Sequence, residues 1–107
     1  MIVRGVMKIM FYVTENNKIG YSTKYVTRAT FKFSTDRYHI GFFEPRVLTD
    51  YYFFNNDYLV DIVFPWADEE LVRLFDDGID DIGNIEICLG SQTIGHASLQ
   101  AYSLTEE

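Results

Sequence analysis

The sequence predicts an α+β domain, in which an antiparallel β-sheet built from hairpins packs against one α-helix. Several segments alternate apolar and polar residues with a period of two, which is typical of half-buried strands. Only residues 66–77 show the three- and four-residue apolar spacing of an amphipathic helix. The connections between segments are short, so neighbouring strands should run antiparallel. A mostly-β barrel or sandwich is the alternative architecture.

The elements follow from local patterns along the chain. Seven segments are predicted strands: residues 5–13, 24–33, 37–43, 47–54, 58–64, 84–89 and 93–102. Polar turns are predicted at 14–18 and 34–36. The residues Asn55, Asn56 and Asp57 predict a hairpin between the fourth and fifth strands, because Asn and Asp tolerate left-handed turn conformations. A second hairpin is predicted around Gly90, Ser91 and Gln92.

The predicted helix has a distinct apolar stripe formed by Leu71, Leu74 and Phe75. Acids in its first turn suit the helix dipole, and Gly78 is a natural stop signal. Asp76 and Asp77 lie at the end where the dipole disfavours negative charge. They therefore cost the helix some stability.

Length and composition predict a single domain over residues 1–107 and favour strands, since the chain holds nine Phe and eight Tyr. Cys88 is the only cysteine, so no internal disulfide can form, which fits a reducing compartment. No apolar run approaches the roughly 20 residues needed to cross a bilayer. The N-terminal segment lacks the features of a signal peptide. We therefore expect a cytoplasmic protein with no membrane partner.

Recognisable catalytic and metal-binding motifs are absent from the sequence. His39 and His96 are far apart, and Cys88 has the acid Glu86 rather than a cation beside it. The acidic run 76–81 lacks the ligand pattern of a calcium loop. No phosphate-cradling glycine motif occurs. The sequence therefore predicts no enzyme activity, no cofactor and no bound metal.

Charge is divided unequally along the chain. Residues 1–46 carry eight Lys/Arg and three Asp/Glu, whereas residues 47–107 carry one and thirteen. A helix that buries its apolar stripe would turn most of the late acids outward, and such a surface attracts a basic partner. We predict a protein-interaction module, most simply an inhibitor or an immunity or counter-defence protein that binds a nuclease or another basic protein. A purely solubilising surface is the alternative. The predicted partner-binding residues are Asp68, Glu69, Glu70, Asp76, Asp77, Asp80, Asp81 and Glu86.

A second candidate surface is the cationic row Lys24, Arg28 and Lys32 on the predicted strand 24–33. Cations beside exposed aromatics bind single-stranded nucleic acid. Here Tyr25, Phe31 and Phe33 fall on the opposite face, so they are expected to lie in the core. Since the net charge is −7, a nucleic-acid-binding role is the less favoured alternative.

A homodimer is a third possibility, because oppositely charged halves can pair between two copies. Four consecutive aromatics, residues 51–54, cannot all enter one core from an alternating strand. Tyr51 and Tyr52 are therefore candidate interface residues. A strand buried on both faces would explain the same run.

Overall fold

The computed structural model describes residues 2–13, 19–33, 38–76 and 85–105. These ranges hold one helix, α1, and eight strands, numbered in chain order. The strands are β1 Ile2–Phe11, β2 Gly20–Ser22, β3 Arg28–Lys32, β4 Tyr38–Pro45, β5 Tyr51–Phe53, β6 Tyr58–Phe64, β7 Ile85–Leu89 and β8 Gln92–Thr105, and α1 spans Glu69–Asp76 between β6 and β7.

Six of the strands form a closed antiparallel barrel in the order β1-β6-β4-β3-β7-β8. The barrel closes because β1 pairs with β6 along one edge and with β8 along the other. The mostly-β barrel, given above as the alternative, thus describes the molecule better than an α+β sheet with one packed helix. Strand periodicity could not reveal this closure, since it depends on pairing between the first and last strands.

The two remaining strands, β2 and β5, pair with each other in a small separate sheet. The predicted hairpin between residues 47–54 and 58–64 is therefore wrong. Its turn does form, and Asn55 adopts the left-handed conformation with φ 61°. However, both edges of β6 are occupied by β1 and β4. Hence β5 has no free edge of β6 to pair with.

Helix α1 covers one end of the barrel with its apolar stripe. Leu71 and Phe75 are fully buried. The Phe75 ring lies 5.9 Å from that of Phe33, beyond the end of β3, and 5.4 Å from that of Tyr102 on β8. The predicted stripe is confirmed, although it closes a barrel rather than covering an open sheet.

The small sheet covers the opposite end. Tyr52 is completely buried, and its ring contacts those of Phe11, Phe43 and Tyr58 at centroid distances of 5.3–6.0 Å. A run of contacting aromatic rings therefore fills the barrel from one covered end to the other.

Several predicted boundaries shift for local reasons. The strand predicted at 24–33 is β3, Arg28–Lys32, because the amides of Tyr25 and Val26 donate to the Ser22 carbonyl and form a turn. The helix begins at Glu69 rather than at 66. The 90–92 turn is confirmed, with Leu89 opposite Gln92 and Gly90 at φ 61°. The turns predicted at 14–18 and 34–36, and the stop at Gly78, lie outside the described residues.

Candidate functional site

The start of α1 is fixed by Asp68. Its Oδ1 accepts a hydrogen bond of 2.8 Å from the backbone N–H of Leu71, three residues later. This is the N-cap interaction that satisfies an otherwise unpaired amide of the first turn. It explains why the helix starts at Glu69, and it gives one of the predicted partner-binding acids a structural role.

The side of α1 that faces away from the barrel carries Glu69, Arg73 and Asp76, and Val72, which also packs against the core, lies at the edge of that side. We call these four residues the helix outer face. Their spacing of three, four and seven residues places them on one stripe. Glu69, Arg73 and Asp76 are exposed, and Val72 is half-buried. Together with Ala67 and Asp68 they line a shallow groove of about 570 Å³.

The predicted acidic set is divided by the fold. Asp68, Glu69, Glu70 and Asp76 lie together on or beside α1. Glu86 is on β7, where its carboxylate lies 3.6 Å from the Lys32 ammonium. Asp77, Asp80 and Asp81 lie outside the described residues. The described acidic site is therefore the helix and its cap.

Asp76 is the last described residue of α1, and it is exposed on the helix outer face. In the described part of the chain, no Lys, Arg or His lies within salt-bridge distance of its carboxylate. Its charge is therefore not neutralised by a described cation.

An exposed tryptophan next to these acids was missed by the sequence reasoning. Trp66 lies just before the N-cap, and its side chain is 69% exposed. One edge of its ring packs on Phe42 of β4, at 5.9 Å between centroids. Tryptophan is enriched among the residues that dominate binding at the centres of interfaces. The predicted helix start at 66 had placed it inside the first turn.

The predicted cationic row is broken. Lys24 belongs to the turn after β2, so it does not lie on a strand with the other two. Arg28 and Lys32 do share the outer face of β3, but Lys32 faces Glu86. The candidate nucleic-acid surface therefore shares a salt bridge with the candidate acidic surface.

The aromatics near this row are only partly in the core. Phe31 and Phe33 are buried as expected, whereas Tyr25 is 78% exposed, which corrects the prediction. The Lys24 ammonium lies 5.8 Å from the centroid of the Tyr25 ring. The Lys32 ammonium lies 6.0 Å from the centroid of the Tyr38 ring. Because residues 22–26 form a turn, Tyr25 does not point inward as it would in a continuous alternating strand.

The run of four aromatics alternates as a half-buried strand should. Tyr52 and Phe54 are buried, while Tyr51 and Phe53 are 43% and 48% exposed. Tyr52 is thus corrected from a candidate interface residue to a core residue. The exposed pair is Tyr51 and Phe53, whose ring centroids lie 6.0 Å apart.

Among the described residues, the fully buried Tyr52 hydroxyl has no hydrogen-bond partner. Burial, with a smaller contribution from the nearby Glu44 carboxylate, raises the pKa of Tyr52 to about 12. The side chain therefore stays neutral in the folded protein well above the pH at which a free tyrosine ionises.

The candidate catalytic residues are not brought together. His39 packs against Phe33, and His96 shares a 2.6 Å hydrogen bond between its Nδ1 and the hydroxyl of Tyr12. Cys88 is buried, with 4% of its surface exposed. It lies at a β-bulge between Ile87 and Cys88, with its Sγ 3.8 Å from the Thr93 hydroxyl.

No group of three His, Cys, Asp or Glu side chains within the described ranges is placed to hold a metal ion. Nor does the described part of the chain include a helix of the length and apolarity that crossing a bilayer requires. Comparison with protein-family models and with curated proteins finds no match. The function is therefore argued from the chemistry of the surfaces alone.

Proposed function

We propose that this protein is a protein–protein interaction module, which binds a basic partner through the helix outer face, its neighbour Glu70 and the capping Asp68. The observation that carries the proposal is the orientation of α1. The helix commits Leu71 and Phe75 to the barrel and leaves Glu69 and Asp76 exposed on its other side. The acids therefore lie on a short helix that its buried side chains hold against the barrel.

Long-range electrostatic attraction would increase the association rate and orient the partner as it approaches. A single-sign surface concentrates an oppositely charged partner and raises association rates by about 10- to 1,000-fold at low salt. The described acids outnumber the one cation of the helix, Arg73. Asp77, Asp80 and Asp81 follow directly in the sequence and would add to this field.

Trp66 would supply the short-range part of the affinity. Aromatic side chains bury a large area at low entropic cost, and they dominate the energetics of many interfaces. Trp66 stands beside the acids with most of its surface exposed. A basic partner with an apolar pocket next to its cationic surface would engage both features.

The partner class that best fits this chemistry is an enzyme acting on nucleic acid. Such an enzyme has a cationic groove that normally holds phosphates, and carboxylates on a rigid support can occupy it instead. An inhibitor, immunity or counter-defence role in the cytoplasm follows from this fit. The proposal involves no catalysis by the protein itself.

A capture experiment tests the proposal. The immobilised protein is compared with two double variants that change the net charge equally, Glu69→Lys/Asp76→Lys on the helix and Asp50→Lys/Asp57→Lys away from it. Proteins retained from a lysate of the native host are quantified. We expect one or a few basic proteins to bind the wild type and the second variant but not the first. Equal recovery on both variants would overturn the proposal.

A second candidate function is binding of single-stranded nucleic acid, which the exposed Tyr25 and Tyr38 favour because each lies within 6.0 Å of a lysine. Stacking on such rings is worth about 1–3 kcal/mol per base. Fluorescence anisotropy with labelled oligonucleotides tests it. Binding that is lost in Lys24→Glu/Arg28→Glu/Lys32→Glu supports this function, and its absence at low salt removes it.

A further inference from the structure

The outer surface of the barrel carries an apolar spot between two arginines. Arg28 on β3 is directly opposite Phe42 on β4, which is opposite Val63 on β6, which is opposite Arg4 on β1. Directly paired residues of antiparallel strands point to the same face, so these four side chains form one row across four strands. We call it the arginine row.

Trp66 contacts one of the two apolar residues of this row, because its ring packs on Phe42 at 5.9 Å between centroids. Phe42, Val63 and Arg4 line one depression of the barrel surface. Glu44 and Asp61 line the same depression, and Asp61 is paired with Arg46 at 3.6 Å. In the described part of the chain, neither Arg4 nor Arg28 has a salt-bridge partner. Trp and Arg are both residue types that are enriched at interface centres.

The acidic helix begins just after the same tryptophan in the chain. Asp68 lies two residues and Glu69 three residues beyond Trp66, and both acids are exposed. The surface around Trp66 is therefore dipolar in its net charge. On one side Arg4, Arg28 and Arg46 outnumber Glu44 and Asp61, and on the other side lie the carboxylates of α1. A two-fold axis passing close to Trp66 would place each side against its opposite in a second copy.

From this complementarity we infer that the chain forms a two-fold symmetric homodimer, centred on Trp66, in which the arginine row of each copy faces the acidic helix of the other. An interface of this kind is self-complementary, because the same patch serves both copies. It lies away from Tyr51 and Tyr52, the aromatics that the sequence had suggested. The inference stands independently of the proposed basic partner.

Dimer formation and partner binding would compete, since both use Glu69 and Trp66. A partner that binds only the monomer shifts the equilibrium by mass action. Arg28→Glu separates the two proposals, because it removes an attraction within the dimer but leaves the acidic helix unchanged. Partner capture should therefore survive in Arg28→Glu even where the dimer is lost.

Sedimentation analysis of mixed variants tests the dimer. Arg28→Glu and Glu69→Lys each place like charges across the axis, and each should weaken self-association by roughly tenfold or more. When the two variants are mixed, every contact is again between opposite charges, so a heterodimer should form. Trp66→Ala should also dissociate the dimer. The control substitutions Lys8→Glu and Asp57→Lys change charge elsewhere and should have no effect.

Recovery of the dimer in the mixture also shows that both variants are folded. The inference is overturned if the wild type sediments as a monomer up to millimolar concentrations, or if its dimer persists unchanged in Trp66→Ala and both charge variants. It is equally overturned if the wild type stays monomeric and an acidic peptide or an oligonucleotide binds the arginine row instead.

Discussion

Individual residues in this protein often serve the core where the sequence pattern suggested a surface. Tyr52 is the clearest case, because alternation alone indicates that two of four consecutive aromatics are inward but not which two. The small β2–β5 sheet decides it by turning Tyr52 and Phe54 toward the barrel. Since that pairing joins segments about 30 residues apart, no local pattern could have supplied it.

The buried Tyr52 hydroxyl should cost the folded state free energy, because it has lost water without gaining a partner from the described part of the chain. Leaving such a group unsatisfied typically costs about 1–3 kcal/mol. We expect Tyr52→Phe to keep the ring packing and to raise the free energy of unfolding, measured by urea denaturation at neutral pH. A clear loss of stability would show that the hydroxyl is hydrogen-bonded in solution.

The same residue predicts a pH dependence. The pKa of Tyr52 is raised from 10.0 to about 12 in the folded state, so the folded protein holds this proton more tightly than the unfolded chain does. The corresponding stability is fully present below pH 10 and is lost as the pH rises toward 12. Tyr52→Phe should lose less stability over that range in thermal unfolding. If stability fell equally with pH in the wild type and in Tyr52→Phe, the raised pKa would not belong to Tyr52.

At the scale of elements, α1 combines a structural role with the proposed binding role, and the two can be separated. Its apolar stripe and its acidic first turn were both readable from the sequence, because helical spacing is a local property. Its starting residue was not, since the N-cap is defined by the Asp68 hydrogen bond rather than by periodicity.

Asp68 allows a matched test of capping against charge. Asp68→Ala removes both, and should lower the free energy of unfolding by about 1 kcal/mol. Asp68→Asn removes only the charge, because asparagine caps helices about as well as aspartate. We expect Asp68→Asn to be nearly as stable as the wild type in chemical denaturation. Equal destabilisation by both substitutions would mean that the charge, not the cap, stabilises α1.

Phe75 tests how far the helix stabilises the barrel. Its ring is fully buried against Phe33, Phe64 and Tyr102. Phe75→Ala should cost about 3–5 kcal/mol of unfolding free energy, the usual range for truncating a buried phenylalanine. Val72→Ala, on the half-buried outer side, serves as the control and should cost far less. If Phe75→Ala and Val72→Ala lowered the free energy of unfolding by similar amounts, α1 would not pack on the barrel through Phe75 as the structure shows.

For the whole molecule, what the sequence could predict was the antiparallel strands, the single helix and the outward acids of that helix. Barrel closure and the second sheet were not predictable, because they depend on pairings between distant segments. The same is true of the surfaces. The arginine row takes one residue from each of four strands. Its two arginines and its two apolar residues are therefore far from one another in the sequence.

The opposite charges of the two halves of the chain are not kept apart by the fold. Lys32 on β3 pairs with Glu86 on β7, and Arg46, which directly follows β4, pairs with Asp61 on β6. Among the described residues, the acidic surface around α1 consists of Asp68, Glu69, Glu70 and Asp76, and Trp66 borders it. The proposed binding role therefore depends on a few carboxylates with known positions rather than on net charge.

The most direct test of that role measures affinity and stability on the same variants. The captured partner is titrated by calorimetry against the wild type, Glu69→Lys/Asp76→Lys and Asp50→Lys/Asp57→Lys, and each protein is also unfolded thermally. The helix variant should bind at least about tenfold more weakly while unfolding at a temperature close to that of the wild type, and the control variant should bind normally. Affinity that falls equally in both variants, or in neither, would contradict the account.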